Sequence, residues 1–461
     1  MTKSKIIGAV ATVVLIVLAV TVPGAFGLTQ EGMRCLLMFF AFLASSLSGL
    51  IPFGMASVIF TFLMVFSGGF ASMSEAAKGI SVGLMAFCIG TMAITVALKR
   101  TTIPNRVAAF AAKISRGSSR IIILFFMFAA CLLSSIMSNV AACTTIAAMA
   151  FGICKAQEDS GAGITNFGKC MMIGIPFAAG IGGCGTIAGS VNNLMGMEML
   201  TAFNGSTIAF GPWAALMIPT TLLAMVIIWL ILITMWKPEP LDQGIVASTM
   251  SKETTEKMSA LDIRVALVIV LMVVFWISTT WITVYNVNFV AIAGLILFLL
   301  LGCFKWKEFN GECHWDSVFL CGGVMGVVQA LINTGVGEWL GTVLFGGAGG
   351  LSPIILGMLI ILASFILHAF IPVGGPIASI LTLPAVTLCA SAGLDPAIGV
   401  LLVLIGANTC TLLPIDMLPI LTRTYGYYKN SDFIKAGIPV TIALTVLLPL
   451  IMIPFGSMIG F

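Results

Sequence analysis

The chain has 461 residues, of which 60% are hydrophobic and only 8% are charged. Soluble proteins carry about a quarter of their residues as charges, so this composition excludes a soluble fold and indicates a polytopic membrane protein. The net charge of +4 is spread along the chain and forms no basic patch, which excludes nucleic acid as a partner. The 12 cysteines are scattered without a CxxC pair, so neither a disulfide scaffold nor a zinc site is indicated.

Apolar segments of about 20 residues, the length that crosses a bilayer as a helix, occur from one end of the sequence to the other. The first follows the basic start Lys3-Ser-Lys5, and we interpret it as a membrane helix because it is long and lacks a small-residue cleavage site. We predict eleven spans, near 5–23, 33–51, 53–71, 80–98, 168–198, 212–236, 263–284, 287–304, 317–335, 395–422 and 434–458.

Two further apolar stretches, 121–153 and 352–392, are too long for one span and too short for two. The first is interrupted at Ser138-Asn139, and the second at Pro372 and at Gly374-Gly375-Pro376. Both patterns predict re-entrant hairpins, which enter and leave the membrane on the same side. Because unpaired backbone cannot face lipid, the hairpin tips are expected to line a cavity or to pack against protein.

Basic residues predict the orientation of the chain. The stretch 99–120 holds six of them and no acid, so the positive-inside rule assigns it to the cytoplasm. Basic residues recur within 237–264, 305–307 and 423–435, and all fall on the same side only if both long stretches are hairpins. The prediction is a protein of the cytoplasmic membrane of a bacterium, with the N-terminus inside and the C-terminus outside. Within the first stretch, 101–117 is predicted to be an amphipathic helix on the cytoplasmic surface.

The predicted elements form two halves of opposite orientation, each with a hairpin followed by a broken span. Two inverted halves that meet at mid-membrane indicate a secondary transporter, and the sequence has no GxxxxGK[ST] motif for binding ATP. The predicted fold class is an all-α polytopic membrane protein with about 11 transmembrane helices and two re-entrant hairpins in an inverted repeat. The predicted domains are an N-terminal span 1–32, a first repeat 33–236 with hairpin 121–153 and broken helix 168–198, a cytoplasmic connector 237–262, and a second repeat 263–461 with hairpin 352–392 and broken helix 395–422.

The first hairpin carries polar residues at its interruption. Ser134 and Ser138 are spaced to lie one helical turn apart on one face, and Asn139 adds an amide oxygen and N–H groups. Hydroxyl, amide and carbonyl oxygens are the ligands that hard cations bind in proteins, which makes this cluster a candidate sodium site. The structural alternative is that small residues let membrane helices pack closely.

Two glycine-rich segments are further candidates for the site. Residues 182–193 contain four glycines in eight residues, which predicts an unwound segment with exposed backbone groups inside a span. In 370–376, the Gly374-Gly375 turn presents successive N–H groups that suit an anion. The structural alternatives are a close packing face for the first segment and a simple hairpin turn for the second.

Ionisable residues at membrane depth are functional candidates by default. His368 lies in the second hairpin and Asp416 just past Pro414. Either is a candidate for carrying a coupling proton, since imidazole titrates near neutral pH. The alternatives are a packed, hydrogen-bonded histidine and an aspartate that faces cytoplasmic water. An enzyme is not indicated, because the two histidines, His314 and His368, form neither a metal cluster nor a catalytic triad.

Several short motifs occur in a characteristic order and spacing along most of the chain. They are Gly27 to Arg34, Ser48 to Pro52, Ser138-Asn139-Val140, Gly182 to Asn193, Trp315-Asp316, Cys321-Gly322-Gly323 and Gly337 to Leu340. Together they resemble the divalent anion–sodium symporters, a family that transports di- and tricarboxylates and sulfate. Ser138-Asn139-Val140 is similar to the first Ser-Asn-Thr motif of that family, with valine in place of threonine.

The resemblance implies a homodimeric transporter of the elevator type, in which surface helices connect a fixed scaffold to a moving transport domain. The substrate site that it implies consists of Asn139, Val140, Thr186, Gly374, Gly375 and Pro376. The implied sodium site consists of Ser134, Ser138, Asn139 and carbonyl groups near Gly183, with Asn408 as the second-half counterpart of Gly183.

The second half departs from the family pattern. Gly374-Gly375-Pro376 replaces the second Ser-Asn-Thr motif, and Pro414-Ile415-Asp416-Met417 stands where the family has its second Thr-Pro-Pro-Asn. Side-chain oxygens for a second sodium ion are therefore missing. The number of coupling ions, and sodium coupling itself, stay open at this point.

We therefore expect a secondary active transporter of small divalent anions, C4-dicarboxylates or related carboxylates, driven by sodium symport. Its expected partners are the anionic substrate, the lipid bilayer and a second copy of the chain, and Na⁺ is the expected cofactor, with no organic cofactor. A sodium-independent anion exchanger, a proton-coupled carrier and a sulfate or sulfonate transporter are the alternatives.

Overall fold

The computed structural model describes residues 3–114, 118–161, 163, 165–242, 244, 246, 257–345 and 350–461. In this part of the chain the regular elements are helices, and no strand occurs. The α-helices are α1 Lys3–Thr21, α2 Gln30–Leu47, α3 Phe53–Leu63, α4 Met73–Gly79, α5 Val82–Lys99, α6 Ile103–Ile114, α7 Ser119–Ser134, α8 Asn139–Asp159, α9 Thr165–Gly182, α10 Val191–Asn204, α11 Phe210–Trp236, α12 Ala260–Ser278, α13 Val287–Leu300, α14 Trp306–Glu312, α15 Trp315–Asn333, α16 Val336–Phe345, α17 Pro353–His368, α18 Gly374–Ser391, α19 Pro396–Asn408, α20 Met417–Arg423 and α21 Asn430–Ile459.

The helices have the length and composition of membrane spans. Among the described residues, seven helices are long and apolar enough to cross a bilayer, and six apolar helices are shorter, with 10 to 17 residues. An all-helical polytopic membrane protein is therefore confirmed. The predicted number of eleven spans stays a prediction, because several predicted spans are divided between two helices.

Both predicted hairpin stretches contain two helices that pack against each other around a short tip. Helix α7 ends at Ser134 and α8 begins at Asn139, while α17 ends at His368 and α18 begins at Gly374. In the second tip, Pro372 has no backbone N–H and so cannot continue a helix. The first arms, α7 and α17, have the same length of 16 residues.

Both predicted broken helices are interrupted. Helix α9 ends at Gly182 and α10 begins at Val191, with one short 3₁₀ turn between them at Ile187–Gly189. In the second half, α19 ends at Asn408 and α20 begins at Met417. The two interruptions, 183–190 and 409–416, have the same length.

A second group of helices packs beside the hairpins. Ser57 and Thr61 of α3 donate to backbone carbonyls of α15, with Thr61 Oγ1 2.7 Å from the Gly323 oxygen. Helices α1 to α4 form a small core of their own with one end of α15, whereas the hairpins and broken helices share the main core. Helix α10 contacts α15 as well as α18 and α19, so it joins the two groups.

Candidate functional site

The first hairpin tip lies directly against the first broken helix. Ser134 Oγ at the end of α7 is 2.6 Å from the Ala179 carbonyl oxygen of α9 and 2.8 Å from Asn139 Oδ1. Gly183 faces the same amide so closely that a Cβ atom there would overlap the Asn139 side chain. A larger residue at 183 would therefore displace the Asn139 side chain from its contact with the break.

The atoms in this contact suit a cation. Ser134 Oγ, Asn139 Oδ1 and the Ala179 oxygen are all acceptors, and only the serine hydroxyl brings a proton. One proton cannot satisfy both neighbouring oxygens at once. A hard cation binds such neutral oxygens without needing a carboxylate.

Ser138 does not join this cluster. The spacing predicted for Ser134 and Ser138, one helical turn on one face, is wrong because α7 ends at Ser134 and 135–138 are not helical. The Ser138 N–H donates instead to Thr95 Oγ1 of α5 at 3.0 Å. Ser138 is the N-cap residue of α8, yet its side chain makes no capping hydrogen bond.

Asn193 ties the unwound segment together. Its side-chain amide donates to the Gly183 oxygen at 2.7 Å and to the Thr186 oxygen at 2.8 Å. Thr186 Oγ1 in turn donates to the Ser135 carbonyl of the first tip. Asn193 is fully buried, so these bonds satisfy polar groups that would otherwise be costly inside the protein.

Asn408 connects the first broken helix to the second. Its Nδ2 donates to Asn193 Oδ1 at 3.0 Å. Its Oδ1 accepts from Asn192 Nδ2 at 3.0 Å and from Ser190 Oγ at 2.5 Å. Four side chains at or beside the two interruptions therefore form one network, in which Asn193 and Asn408 are buried, Ser190 and Asn192 are half-buried, and Asn408 is the shared member.

The second hairpin tip is joined to the same network by close packing. A Cβ atom at Gly374 would overlap both the Ala407 carbonyl oxygen and the Asn192 amide. Gly374, Gly375 and Pro376 are buried at the start of α18. Any residue larger than glycine at 374 would displace the backbone at Ala407.

Both hairpin tips end in uncapped helix N-termini. Neither Ser138 before α8 nor Val373 before α18 makes a side-chain cap hydrogen bond. By contrast, Ser190 and Asp416 cap α10 and α20 through their side chains. Uncapped N-terminal amides carry partial positive charge and bind anions.

His368 and Asp416, predicted separately, contact each other. His368 is 1% exposed, and its Nδ1 lies 2.6 Å from the Gly406 carbonyl oxygen. Its Nε2 lies 3.4 Å from Asp416 Oδ2. Because a carbonyl only accepts, Nδ1 carries a proton, and a bond from Nε2 to the carboxylate needs a second proton on the ring or the carboxyl group.

The two halves have different chemistry at corresponding positions. Ser134 and His368 are the last residues of α7 and α17, and each contacts a carbonyl in the last turn of a broken helix. Ser190 and Asp416 are the N-cap residues after the two interruptions. Hydroxyl groups in the first half thus correspond to an imidazole and a carboxylate in the second.

The sequence predictions omitted part of this site. Ser190, Asn192 and Asn193 belong to the network but were not predicted as site residues, although they lie in the glycine-rich motif 182–193. The two successive asparagines, Asn192 and Asn193, lie inside an apolar span, and this pattern was the sequence signal that could have identified them. Val140 is half-buried in the first turn of α8, beside Asn139.

Comparison with known proteins gives a family and a fold. A family model described as a citrate transporter matches residues 36–404. The crystal structure of the YdaH transporter of Alcanivorax borkumensis aligns with 100% of this chain and 99% of that chain, at 12% sequence identity and a TM-score of 0.56. At this identity the likeness is one of fold alone.

Two curated relatives are more similar in sequence. An uncharacterized transporter of Schizosaccharomyces pombe is 25% identical over 100% of this chain and 54% of its own length. The sodium-dependent dicarboxylate transporter SdcS of Staphylococcus aureus is 24% identical over 58% of this chain and 56% of its own length. The chain thus spans about half the length of these relatives.

Proposed function

The chain belongs to the citrate transporter family, and from this premise we propose that it is a secondary active transporter of small di- or tricarboxylate anions in the cytoplasmic membrane. The family and its relatives are transporters rather than enzymes. The carboxylate substrate is further supported by the dicarboxylate named for the Staphylococcus aureus relative. C4-dicarboxylates are the first substrates to test.

One observation carries the proposal: two hairpin tips and two helix interruptions meet around a single polar network. Asn408 bonds to Asn192 and Asn193 across the halves, and the first tip contacts Gly183 while the second contacts Asn192. Inverted halves that meet at broken helices are the arrangement in which transporters bind substrate and coupling ions.

The substrate site that we propose lies between the uncapped N-termini of α8 and α18. Asn139, Val140 and Thr186 line its first-half side, and Gly374, Gly375 and Pro376 its second-half side. A carboxylate accepts well from backbone N–H groups at a helix N-terminus. A substrate with two carboxylates would engage both tips at once.

Sodium is the coupling ion that the first half favours. The Ser134 hydroxyl, the Asn139 amide oxygen and the Ala179 carbonyl are neutral oxygens within hydrogen-bonding distance, with carbonyls near Gly183 as further ligands. The Ser138 side chain is not a ligand in this proposal, because the contact that Ser138 makes is from its backbone N–H to Thr95. Asn408 contributes through its hydrogen bonds to Ser190, Asn192 and Asn193 rather than as a ligand.

Uptake into proteoliposomes tests this function. The purified chain is assayed with C4-dicarboxylates, citrate, sulfate and sulfonates, with and without an inward sodium gradient. Carboxylate uptake that rises with the gradient supports the proposal. Sulfate or sulfonate uptake alone would move the substrate to the other anions, and exchange without any ion gradient would replace symport.

Proton coupling is a second candidate, favoured by the contact between His368 and Asp416. His368 Nε2 and Asp416 Oδ2 lie 3.4 Å apart, and a coupling proton would bind between them, at the second-half position that corresponds to the proposed sodium ligands of the first half. We expect a sodium Hill coefficient near one, together with a stimulation of uptake by a pH gradient. That stimulation should vanish in His368→Gln and Asp416→Asn, whereas steep sodium cooperativity unchanged in both variants would return the protein to coupling by several sodium ions.

The larger mechanism follows from the same proposal. We infer a homodimer in which the helices around α3 and α15 form a fixed scaffold. The hairpins and broken helices would move against it as an elevator, within repeats bounded at 33–236 and 263–461. Crosslinking of the purified protein in membranes tests the dimer: a predominantly monomeric protein with full uptake would contradict it.

A further inference from the structure

Glu198 is a charged side chain inside the first broken helix, and the candidate site does not use it. Helix α10 has 14 residues, and Glu198 is the only charged one among them. It lies six residues after Asn192 of the network and six residues before Asn204, where the helix ends. At a rise of about 1.5 Å per residue, Glu198 is about 9 Å from both positions. An ionisable residue within an apolar segment of a membrane helix is a functional candidate.

The Glu198 carboxylate lacks a partner among the described residues. It makes neither a hydrogen bond nor an ion pair with any of them, although the side chain is half-buried. By contrast, the Asp416 carboxylate accepts from Leu418 N at 3.0 Å and lies 3.4 Å from His368 Nε2. An unpaired carboxylate is costly in an apolar environment, where such a group takes up a proton instead.

Glu198 lies on the side of α10 that faces α15. Val191 and Met195 precede it by seven and three residues, which places all three on one side of the helix. Met195 packs in a small apolar cluster with Leu320 and Val324 of α15, and Val191 packs against the same cluster. The side chain of Glu198 is therefore directed toward the helices around α3 and α15.

The opposite side of α10 belongs to the group of hairpins and broken helices. A Cβ atom at Gly196 would meet the side chains of Val400 and Leu404 of α19. Residues two apart in a helix do not share a face, so Glu198 points away from this contact. Glu198 thus lies at the boundary between the two groups of helices that α10 joins.

The described elements packed against α10 supply no free charge to compensate Glu198. They are α5, α15, α18, α19 and the turn Ile187–Gly189, and their titratable side chains are Cys88 and Lys99 of α5, Asp316 and Cys321 of α15, and Cys389 of α18. Lys99, the last residue of α5, pairs with Glu312 at 3.9 Å. Asp316 accepts from Gly54 N at 2.9 Å. Both charged groups are therefore already engaged.

We propose that Glu198 binds a proton during the transport cycle and that its protonation lets α10 slide along α15. The inference rests on the proposed transport function and on the proposed movement of the broken helices against the scaffold. Beyond Leu320, the same side of α15 continues with Val324 and Val328, which are apolar and fully buried. An ionised Glu198 would carry a charge along this apolar surface, whereas a protonated Glu198 is neutral and crosses it at lower cost.

This proton is separate from the one proposed for His368 and Asp416. Those two residues lie in the second half, at the end of α17 and before α20, whereas Glu198 lies in the first broken helix. Glu198 acts on the movement rather than on substrate binding. Uptake should therefore slow as the pH rises, even when the pH is equal on both sides of the membrane.

Carbodiimide labelling tests proton binding without a transport assay. Dicyclohexylcarbodiimide reacts with protonated carboxyl groups in apolar surroundings: the O–H adds across one C=N bond, and the acyl group then migrates to nitrogen without a leaving group. The full-length protein in phosphatidylcholine vesicles is labelled from about pH 6 to about pH 9, and modified residues are identified by mass spectrometry. Glu198 should be labelled near neutral pH, and its labelling should fall as the pH rises. The control is Asp159, an exposed carboxylate that pairs with Lys155 at 3.2 Å and should stay unlabelled. A Glu198 that stays unlabelled at every pH would overturn the proposal.

Glu198→Gln tests the movement, because glutamine resembles the protonated side chain. Uptake is measured over the same pH range with equal pH on both sides of the vesicle membrane. The wild-type rate should fall as the pH rises, Glu198→Gln should lose this dependence, and Asp159→Asn should keep it. A Glu198→Gln profile parallel to that of the wild type would exclude a role of this proton in movement. Absence of uptake of any anion by the wild type would instead contradict the proposed transport function, and the labelling would still decide whether Glu198 binds a proton.

Discussion

Asn139 is the residue at which a hairpin tip and a helix interruption touch. Its amide lies against Gly183, accepts from Ser134, and begins α8. The same side chain thus faces the proposed cation ligands and the proposed anion-binding N-terminus. A side chain with both an acceptor and donors meets both requirements, which a methyl group does not.

Replacing Asn139 by alanine should abolish most uptake while the protein stays folded. Loss of one hydrogen-bond partner in a buried site costs about 1–3 kcal/mol, which corresponds to roughly 5- to 150-fold in affinity. Uptake in proteoliposomes and thermal unfolding measure the two effects. Ser135→Ala is the matched control at the same tip, because Ser135 Oγ bonds only to Leu132 of its own helix; equal loss in both variants would contradict a specific role for Asn139.

Gly374 should not tolerate a methyl group. Its Cβ would overlap the backbone oxygen of Ala407, and overpacking of this kind costs about 1–3 kcal/mol. Gly374→Ala should therefore lower the melting temperature and the uptake rate together. Gly341→Ala should be tolerated, since its Cβ would lie 3.5 Å from Thr387, an ordinary contact. An active, stable Gly374→Ala variant would mean that the second tip does not pack against α19 in this way.

At the scale of helices, the network around Asn408 couples the two interruptions. Asn408→Ala would leave Asn193 Oδ1, Asn192 Nδ2 and Ser190 Oγ without their partner. The cost is about 1–3 kcal/mol for the buried Asn193 amide and less for the half-buried Asn192 and Ser190. We expect a clear decrease in melting temperature. Thr445→Val is the control, because Thr445 Oγ1 is buried without a partner among the described residues and its loss should be neutral. Similar melting temperatures for both variants would show that the network adds no stability.

The ends of the hairpin arms were predictable from sequence, but their contacts were not. Pro372 and the Gly374-Gly375 pair interrupt an apolar run by local backbone chemistry, which a sequence displays directly. The contact between His368 and Asp416 depends on how α17 packs against α19, and no local pattern encodes that packing. The spacing argument for Ser134 and Ser138 failed for a different reason, since it assumed a continuous helix through residues 135–138, where α7 has already ended.

The surface helix α14 should be held less strongly to the end of α5 in acid. The Lys305 backbone N–H and the Arg100 guanidinium both bind Glu308 and hold the pKa of its carboxyl below its ordinary value. A lowered pKa in the folded state stabilises the protein above the unfolded-state pKa, and this contribution is lost as the pH falls through the folded-state pKa. Melting temperatures measured from about pH 6 down to about pH 3 should fall more for wild type than for Glu308→Gln. Parallel decreases would contradict this role.

At the scale of the whole molecule, the two halves repeat a geometry but not a chemistry. Both have a first arm of 16 residues and an interruption of the same length. The first half places a hydroxyl and an amide at its tip, and the second places an imidazole and a glycine. Close packing at Gly374 leaves no room for a second asparagine there. This asymmetry is the physical reason to expect two different coupling ions.

The proposed inverted repeat predicts that the two hairpins open to opposite sides of the membrane. Ser118 and Ser352 precede α7 and α17 and are both exposed. A cysteine at 118 should react with a membrane-impermeant maleimide only from the cytoplasm, and one at 352 only from outside. All 12 native cysteines are buried, so background labelling should be low, and the unsubstituted protein measures it. Labelling of intact cells and of inverted vesicles distinguishes the two sides. Reaction of both positions from the same side would refute the opposite orientation of the halves, and with it the meeting of two inverted tips on which the proposed transport mechanism depends.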